Sequence, residues 1–121
     1  MKKKITVAIA GLGSRGKDTY AKAAKLFADR MEIVAVADIV SEKVREAAKE
    51  YGIPEDRCFD SAESLLREKR LADVLFICTM DRQHYGHAVP ALKKGYHLLL
   101  EKPVSPVLAE CLEIEETAKK Y

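Results

Sequence analysis

The sequence predicts an α/β fold in which a doubly wound parallel sheet of about five strands carries helices on both faces. Short runs rich in Val, Ile and Leu recur along the chain, and stretches with helical periodicity separate them. No internal repeat interrupts this alternation. Regular alternation of strand and helix is typical of parallel sheets whose strands are joined by right-handed crossovers.

The predicted strands are short apolar runs at residues 5–10, 33–37, 74–78 and 98–100, with a further short strand at Cys58 and Phe59. Runs of this length and composition indicate strands that are buried on both faces. Helices are predicted between them from apolar residues spaced i, i+3, i+4 and i+7. The first two helical faces are Tyr20, Ala23, Ala24 and Phe27, and then Val44, Ala47, Ala48 and Tyr51.

Capping residues predict where the helices begin and end. Ser41 is predicted to be the N-cap of the second helix and Gly52 to end it. Ser61 is predicted to open the next helix, which runs to about Lys69. A later helix is predicted to begin close to Pro90, because proline suits a first turn, and to end at Gly95. Ser105 and Pro106 begin a final helix, whose shared face is predicted to be Val107, Cys111, Ile114 and Ala118.

Composition narrows the class of protein. The 121 residues match one domain, and 48% hydrophobic with 33% charged residues suit a single core with a solvated surface. A net charge of +2 gives little attraction for nucleic acid or an anionic membrane, so neither is a predicted partner. No apolar run approaches the roughly 18 residues of a membrane span, and the start lacks a secretory signal. Three cysteines without close pairing favour a reducing, cytoplasmic location.

A Gly-x-Gly-x-x-Gly motif lies between the first predicted strand and a helical pattern. Its residues are Gly11, Leu12, Gly13, Ser14, Arg15 and Gly16. The first glycine permits a tight turn, the second lets the backbone approach a pyrophosphate, and the third lets helix and strand pack closely. Free N–H groups at the helix N-terminus would then face the phosphates. A plain strand-to-helix turn is the alternative interpretation of the same glycines.

Asp38 stands at the end of the second predicted strand, at about the distance from the glycines that dinucleotide-binding folds show. A carboxylate there can accept hydrogen bonds from ribose hydroxyls, although a simple strand-end cap is the alternative. It would repel a 2′-phosphate, and the adjacent Ile39 supplies no cation, so NAD is predicted over NADP. Lys43 and Arg45 keep NADP open as a cofactor.

Glu101, Lys102 and Pro103 follow the last predicted strand, at the edge where open α/β sheets bind ligands. A lysine in such a crevice can hold a hydroxyl or ribose oxygen and pass a proton as hydride moves. An exposed surface ion pair is the alternative.

These elements give the whole chain a resemblance to the glucose-fructose oxidoreductase and inositol dehydrogenase family, written Gfo/Idh/MocA. The resemblance rests on the glycine motif, on Asp38, and on a third stretch made of Thr79, His84, Ala91, Leu92, Gly95, His97, Glu101, Lys102 and Pro103. It implies a Rossmann fold that binds NAD or NADP. It also implies a dehydrogenase that transfers hydride between nicotinamide and a hydroxyl of a sugar, polyol or related substrate.

The resemblance also implies roles for single residues. Lys102 would be catalytic, contacting cofactor and substrate and assisting proton transfer, with Glu101 and Pro103 beside it. The nicotinamide side of the crevice would be lined by Thr79, Met80, Asp81 and His84. The family usually has Thr-Pro-Asn at the start of this stretch, so Asp81 places a negative charge where an amide is typical.

Members of the family are considerably longer than this chain and have a second domain that supplies substrate contacts. Residues 1–121 are therefore interpreted as the NAD(P)-binding domain of a longer enzyme that forms a homo-oligomer. The domain alone is expected to bind cofactor without useful turnover. An NAD-dependent glycosidase of the same family and a non-catalytic NAD-binding or sensing module are the alternatives.

The histidines do not predict a metal site. Three histidines without an associated carboxylate spacing give too few convergent ligands for zinc, and no metal is expected. His87 is interpreted as a helix cap or first-turn residue, and His97 as the first residue of a strand.

Overall fold

A computed structural model describes residues 4–12, 29–78, 84–100 and 108–121 of the chain. Within these ranges five parallel strands form one sheet in the order β3-β2-β1-β4-β5. The strands are β1 (Ile5–Ala10), β2 (Met31–Ala37), β3 (Cys58–Phe59), β4 (Val74–Ile77) and β5 (His97–Leu100). The predicted fold class is confirmed, as are the short strand at Cys58 and the strand that begins at His97.

The described helices cover both faces of this sheet. They are α1 (Ser41–Tyr51), α2 (Ala62–Arg67), α3 (His84–Lys93) and α4 (Leu108–Lys120), and a 3₁₀ turn spans Glu55–Arg57. One apolar cluster joins Val7 and Ile9 of β1 to Ala47 of α1. The other joins Ala8 and Ala10 of β1 to residues of α2, α3 and α4. Because successive residues of β1 point to opposite faces, residues 7–10 of this central strand are buried from both sides, which explains their continuous apolar run.

Two glycines end helices as predicted. Gly52 has φ 66° and Gly95 has φ 92°, a region that residues with a Cβ rarely adopt. After α3, the N–H of Gly95 donates to the Leu92 carbonyl and the N–H of Tyr96 to the Ala91 carbonyl. This pair of bonds is a Schellman motif, which satisfies carbonyls that the last helical turn leaves without partners.

The predicted start of α2 is confirmed, whereas the predicted N-cap of α1 is wrong. Ser61 is the N-cap of α2, as predicted, and its hydroxyl accepts a 3.0 Å hydrogen bond from the Ser64 N–H, although the helix ends at Arg67. Ser41 is the first residue of α1 and not its N-cap, so that prediction was wrong by one position. Val40 is the N-cap and has no capping side chain. Instead, the Val40 N–H donates to Asp38 Oδ1 at 2.8 Å, so an upstream carboxylate shapes the turn before the helix.

The prediction that a helix begins near Pro90 was also wrong. Helix α3 begins at His84 and contains Pro90 in its interior. Proline lacks the N–H that would donate to the carbonyl of Gly86, four residues earlier, so the helix forgoes one backbone hydrogen bond. Burial of Ala88, Ala91 and Leu92 against the sheet outweighs this cost.

The buried face of α4 differs by one position from the predicted one. Ile114 and Thr117 are buried and Cys111 is half-buried, whereas Ala118 is exposed. The Thr117 hydroxyl donates to the Glu113 carbonyl at 2.7 Å, which satisfies the polar group and allows threonine to replace an apolar residue at this contact. The predicted start of this helix at Ser105 and the first predicted helical face lie outside the described residues.

The amino edge of the sheet is tied together by Asp73. Its carboxylate accepts hydrogen bonds from both the backbone N–H and the hydroxyl of Thr6, at 3.0 and 3.1 Å. Its carbonyl accepts from the N–H of His97 at 3.0 Å. These contacts align the starts of β1, β4 and β5.

Two further observations concern the residues that the structure describes. Within the described ranges Cys58, Cys78 and Cys111 are not joined in disulfides, and none of the described helices is long and apolar enough to cross a membrane.

Candidate functional site

The strand order places a topological switch point at the carboxyl edge of the sheet. From β1 the chain proceeds to β2 and β3 on one side, and later to β4 and β5 on the other. Ligands of open α/β sheets bind at such a switch point, because the loops on the two sides diverge there. Two backbone hydrogen bonds of 2.8 Å mark the point of divergence, from Gly11 N–H to the Ala37 carbonyl and from Cys78 N–H to the Ala10 carbonyl.

Gly11 begins the glycine-rich turn directly after β1. Its φ of 97° lies in the region that favours glycine, in agreement with the predicted tight turn. Leu12 follows with its side chain buried in the apolar cluster beneath α1. The chain therefore turns at Gly11, and the buried Leu12 anchors the start of the loop.

Asp38 connects the first loop to the second. Its Oδ2 accepts a hydrogen bond of 2.7 Å from the Leu12 N–H, and its Oδ1 accepts one of 2.8 Å from the Val40 N–H. An ionised carboxylate has about four acceptor positions, so two bonds leave each oxygen able to accept one more. The side chain thus caps the end of β2, which was one of the two roles that the sequence allowed. Each carboxylate oxygen can still accept a hydrogen bond from a hydroxyl group.

The surface beside Asp38 is apolar. The side chain of Ile39 is 82% exposed, and the neighbouring Val40 is exposed as well. Lys43 is half-buried and Arg45 is exposed, both in the first half of α1. The exposed Ile39 side chain can pack against one face of a flat ring. A sugar attached to that ring could then reach the neighbouring Asp38 carboxylate.

The structure brings together Gly11, Leu12 and Asp38, with Ile39 adjacent. The other predicted site residues lie outside the described ranges, namely Gly13, Ser14, Arg15, Gly16, Thr79, Met80, Asp81, Glu101, Lys102 and Pro103, and their roles stay predictions. His84 is the first residue of α3. In the described ranges, no group of three or more His, Cys, Asp and Glu side chains could hold a metal ion.

Sequence reasoning missed two groups at this edge. The Val40 N–H donates to Asp38 Oδ1 and so fixes the orientation of the carboxylate. Cys78 is half-buried and directly follows β4 at the switch point. Neither carries a motif. The spacing of two residues between Asp38 and Val40, which suits a side-chain turn at aspartate, was the available signal for the first.

The first turn of α3 is contacted from two neighbouring helices. His87 lies in this turn, as predicted, and its side chain is only 5% exposed. Its Nε2 lies 2.6 Å from Oε2 of Glu63 in α2. On the other flank the Tyr85 hydroxyl donates to the carboxylate of Glu113 in α4. The bond to His87 lowers the pKa of Glu63, and the bond to Glu113 raises the pKa of Tyr85.

The contact between Glu63 and His87 predicts how the free energy of unfolding changes with pH. Because the pKa of Glu63 lies below its usual 4.5 in the folded protein, its carboxylate stabilises the fold above the unfolded-state pKa. That stabilisation is lost as the pH falls through the lower, folded value. We expect the wild type to be more stable than Glu63→Gln at neutral pH, and the difference to shrink at acidic pH below 4.5, in urea unfolding followed by circular dichroism.

The matched control is Glu115→Gln. Glu115 forms an exposed ion pair with Lys119 at 3.2 Å, and such pairs contribute little to stability, so this variant should resemble the wild type at both pH values. A Glu63→Gln difference that is equal at neutral and acidic pH would contradict the prediction.

Comparison with known proteins identifies relatives over most of the chain. A family described as the Gfo/Idh/MocA oxidoreductase family, NAD-binding Rossmann fold, matches residues 5–121. Glycosyl hydrolase family 109 protein 2 of Phocaeicola vulgatus is 30% identical, over 96% of this chain and 29% of that protein. D-glucoside 3-dehydrogenase of Escherichia coli is 31% identical, over 74% of this chain and 25% of that protein. Inositol 2-dehydrogenase of Salmonella typhimurium is 30% identical, over 93% of this chain and 32% of that protein.

Solved structures share the same fold. The WlbA dehydrogenase of Chromobacterium violaceum, in complex with NADH and UDP-GlcNAcA, superposes with a TM-score of 0.88 at 26% identity, covering 99% of this chain and 33% of that one. The aldose-aldose oxidoreductase of Caulobacter crescentus, complexed with glycerol, gives a TM-score of 0.83 at 26% identity, covering 98% and 35%. The chain therefore spans about a third or less of the length of the relatives that it matches.

Proposed function

Because the chain belongs to the Gfo/Idh/MocA oxidoreductase family, NAD-binding Rossmann fold, over residues 5–121, we propose that it is the cofactor-binding domain of a sugar or polyol dehydrogenase. The whole enzyme would transfer hydride between nicotinamide and a hydroxyl-bearing carbon of its substrate. Relatives named inositol 2-dehydrogenase and D-glucoside 3-dehydrogenase support this class of substrate.

The observation that carries the proposal is the position of Asp38. Its carboxylate bridges the loops that follow β1 and β2 and keeps one free acceptor position on each oxygen. The two vicinal hydroxyls of a ribose present two donors at a spacing that one carboxylate can accept. Gly11 is hydrogen-bonded to Ala37, the residue before Asp38, and its φ of 97° suits the tight turn that a pyrophosphate site needs. The described residues therefore fit the adenosine end of a dinucleotide.

We propose NAD as the preferred cofactor, with NADP possible. A 2′-phosphate would bring at least one negative charge next to the Asp38 carboxylate, and the repulsion would weaken binding. The exposed Ile39 offers no cation to offset this repulsion, but its apolar surface can pack against adenine. Lys43 and Arg45 are the nearby cations that would reduce the selectivity.

The remaining roles follow from the family pattern. Gly13, Ser14, Arg15 and Gly16 would hold the pyrophosphate through backbone N–H groups. Thr79, Met80, Asp81 and His84 would line the nicotinamide side, together with Glu101 and Pro103. Lys102 would hold the reacting hydroxyl and take up or return its proton. Bound NAD supplies the hydride acceptor, so the protein itself has only to orient the groups and move this proton.

The proposal also covers what lies beyond residues 1–121. A second domain would supply the substrate contacts, and the full-length protein would form a homo-oligomer in the cytoplasm, without nucleic acid or membrane partners. On this view the chain of 121 residues binds cofactor but turns over substrate poorly.

An NAD-dependent glycosidase is the second candidate. It is favoured by the 30% identity to a glycosyl hydrolase family 109 protein and by 29% identity to the α-N-acetylgalactosaminidase of Bacteroides fragilis, each over 96% of this chain. Oxidation of a sugar hydroxyl by bound NAD would acidify the neighbouring C–H and permit elimination of the aglycone. Addition of water and return of the hydride would then give the free sugar and regenerate NAD. A longer protein that cleaves glycosides without net NADH formation would support this candidate, and net NADH formation with a free sugar or polyol would support the dehydrogenase.

Calorimetric titration of the chain with NAD, NADH and NADP tests the proposed function. We expect NAD and NADH to bind with micromolar dissociation constants and NADP to bind at least about tenfold more weakly. Absence of binding by all three dinucleotides would refute the proposal. Equal affinity for NAD and NADP would refute the assigned role of Asp38 in selectivity, while leaving the family unaffected.

A further inference from the structure

The first turn of α3 is weakly supported by its own backbone. The first N–H groups of any helix have no helical acceptor, and here the interior Pro90 also lacks the N–H that would donate to the Gly86 carbonyl. Gly86 adds conformational freedom within the same turn. A turn with these features is expected to be held mainly by contacts from outside the helix.

Two such contacts are present, one on each flank. Glu63 of α2 contacts the buried His87, and Glu113 of α4 accepts from the hydroxyl of Tyr85. Both carboxylates belong to helices on the same face of the sheet. The two contacts therefore hold a single turn between its neighbours on either side.

This turn lies at the functional edge of the sheet. In a parallel α/β sheet each crossover helix begins near the carboxyl end of the strand that precedes it, and α3 follows β4, which borders the switch point. Its first residue is His84, which the proposed function assigns to the nicotinamide side. Tyr85 is the next residue, and His87 is one helical turn from His84.

We propose that Glu63 and Glu113 are positioning residues that hold the first turn of α3, and with it His84, against the nicotinamide half of the cofactor. The inference rests on the proposed function and extends it to residues that no cofactor contact would identify. Neither glutamate would touch the cofactor. Each acts through its partner in α3, by restricting where the backbone of the first turn can lie.

The test compares two ligands that differ only at the nicotinamide end. NAD and ADP-ribose share the adenosine and pyrophosphate groups, but ADP-ribose lacks nicotinamide. We expect the double variant Glu63→Ala, Glu113→Ala to bind NAD about five- to tenfold more weakly than the wild type, consistent with the loss of modest hydrogen-bond contributions. Its dissociation constant for ADP-ribose should change by less than about twofold.

The choice of variants keeps the result interpretable. The Glu63 side chain is 57% exposed and Glu113 is exposed, so truncating them creates no cavity in the core. Glu115→Ala in α4 removes a comparably exposed glutamate, paired with Lys119, and should leave both dissociation constants unchanged. A thermal melt of each variant accompanies the titrations.

The outcomes separate this inference from the proposed function. Failure of the wild type to bind either ligand would refute the proposed function itself. If the wild type binds both ligands and the double variant weakens NAD and ADP-ribose equally, or weakens neither, the positioning role is wrong and the proposed function stands. Selective loss of NAD affinity with retained ADP-ribose affinity would confirm the positioning role.

Discussion

Replacing Asp38 with alanine is expected to weaken NAD binding by about 10- to 100-fold, because the variant loses charge-assisted hydrogen bonds to the ribose hydroxyls. It also removes the acceptor that the Leu12 N–H uses at 2.7 Å, so the first loop loses a contact that holds it beside β2. NADP binding should fall less than NAD binding, because the loss of the loop contact affects both dinucleotides but the carboxylate that repels the 2′-phosphate is gone. The ratio of the two affinities, measured by calorimetry, should therefore fall toward one.

Asp60 provides a matched control for this experiment. It follows β3 as Asp38 follows β2, and its carboxylate accepts a hydrogen bond of 2.7 Å from the Ser64 hydroxyl within an exposed turn. Asp60→Ala should leave the affinity for NAD unchanged. If Asp38→Ala retained full affinity and selectivity, Asp38 would be a strand-end cap only, and the ribose assignment would be wrong.

Replacing Leu75 with alanine is expected to lower the free energy of unfolding by about 2–5 kcal/mol. Leu75 lies in β4, is 0% exposed, and belongs to the apolar cluster under α2, α3 and α4. Truncation leaves a cavity that neighbouring strands on both sides cannot fill, because Leu75 pairs with Ala8 in β1 and Leu98 in β5. Urea unfolding followed by circular dichroism measures the change.

The control for Leu75 is Leu112→Ala. Leu112 lies on α4 with 52% of its surface exposed, so the variant should change the free energy of unfolding by less than about 0.5 kcal/mol. Equal effects of the two substitutions would show that the sheet does not form the core described above. A domain of this size has about 5–15 kcal/mol of stability in total, so Leu75→Ala should also reduce the yield of folded protein.

Local chemistry made much of the fold predictable. Apolar runs such as residues 5–10 identify buried strands because helices cover both faces of the sheet. Gly52 and Gly95 mark helix ends because they adopt positive φ, and Ser61 marks a helix start because its hydroxyl accepts from a backbone N–H. Predictions failed where a local preference competed with packing, as at Pro90, which lies inside α3 because the residues around it are buried.

By itself the sequence determined the fold class, most strand and helix boundaries, and the placement of Gly11 and Asp38 at the ends of two strands. Each of these depends on neighbours within a few residues. Only the tertiary structure decided that Asp38 accepts a hydrogen bond from Leu12 and that Glu63 and Glu113 hold opposite flanks of α3. Such contacts join residues 24 to 28 positions apart, and sheet topology alone brings them within hydrogen-bonding distance.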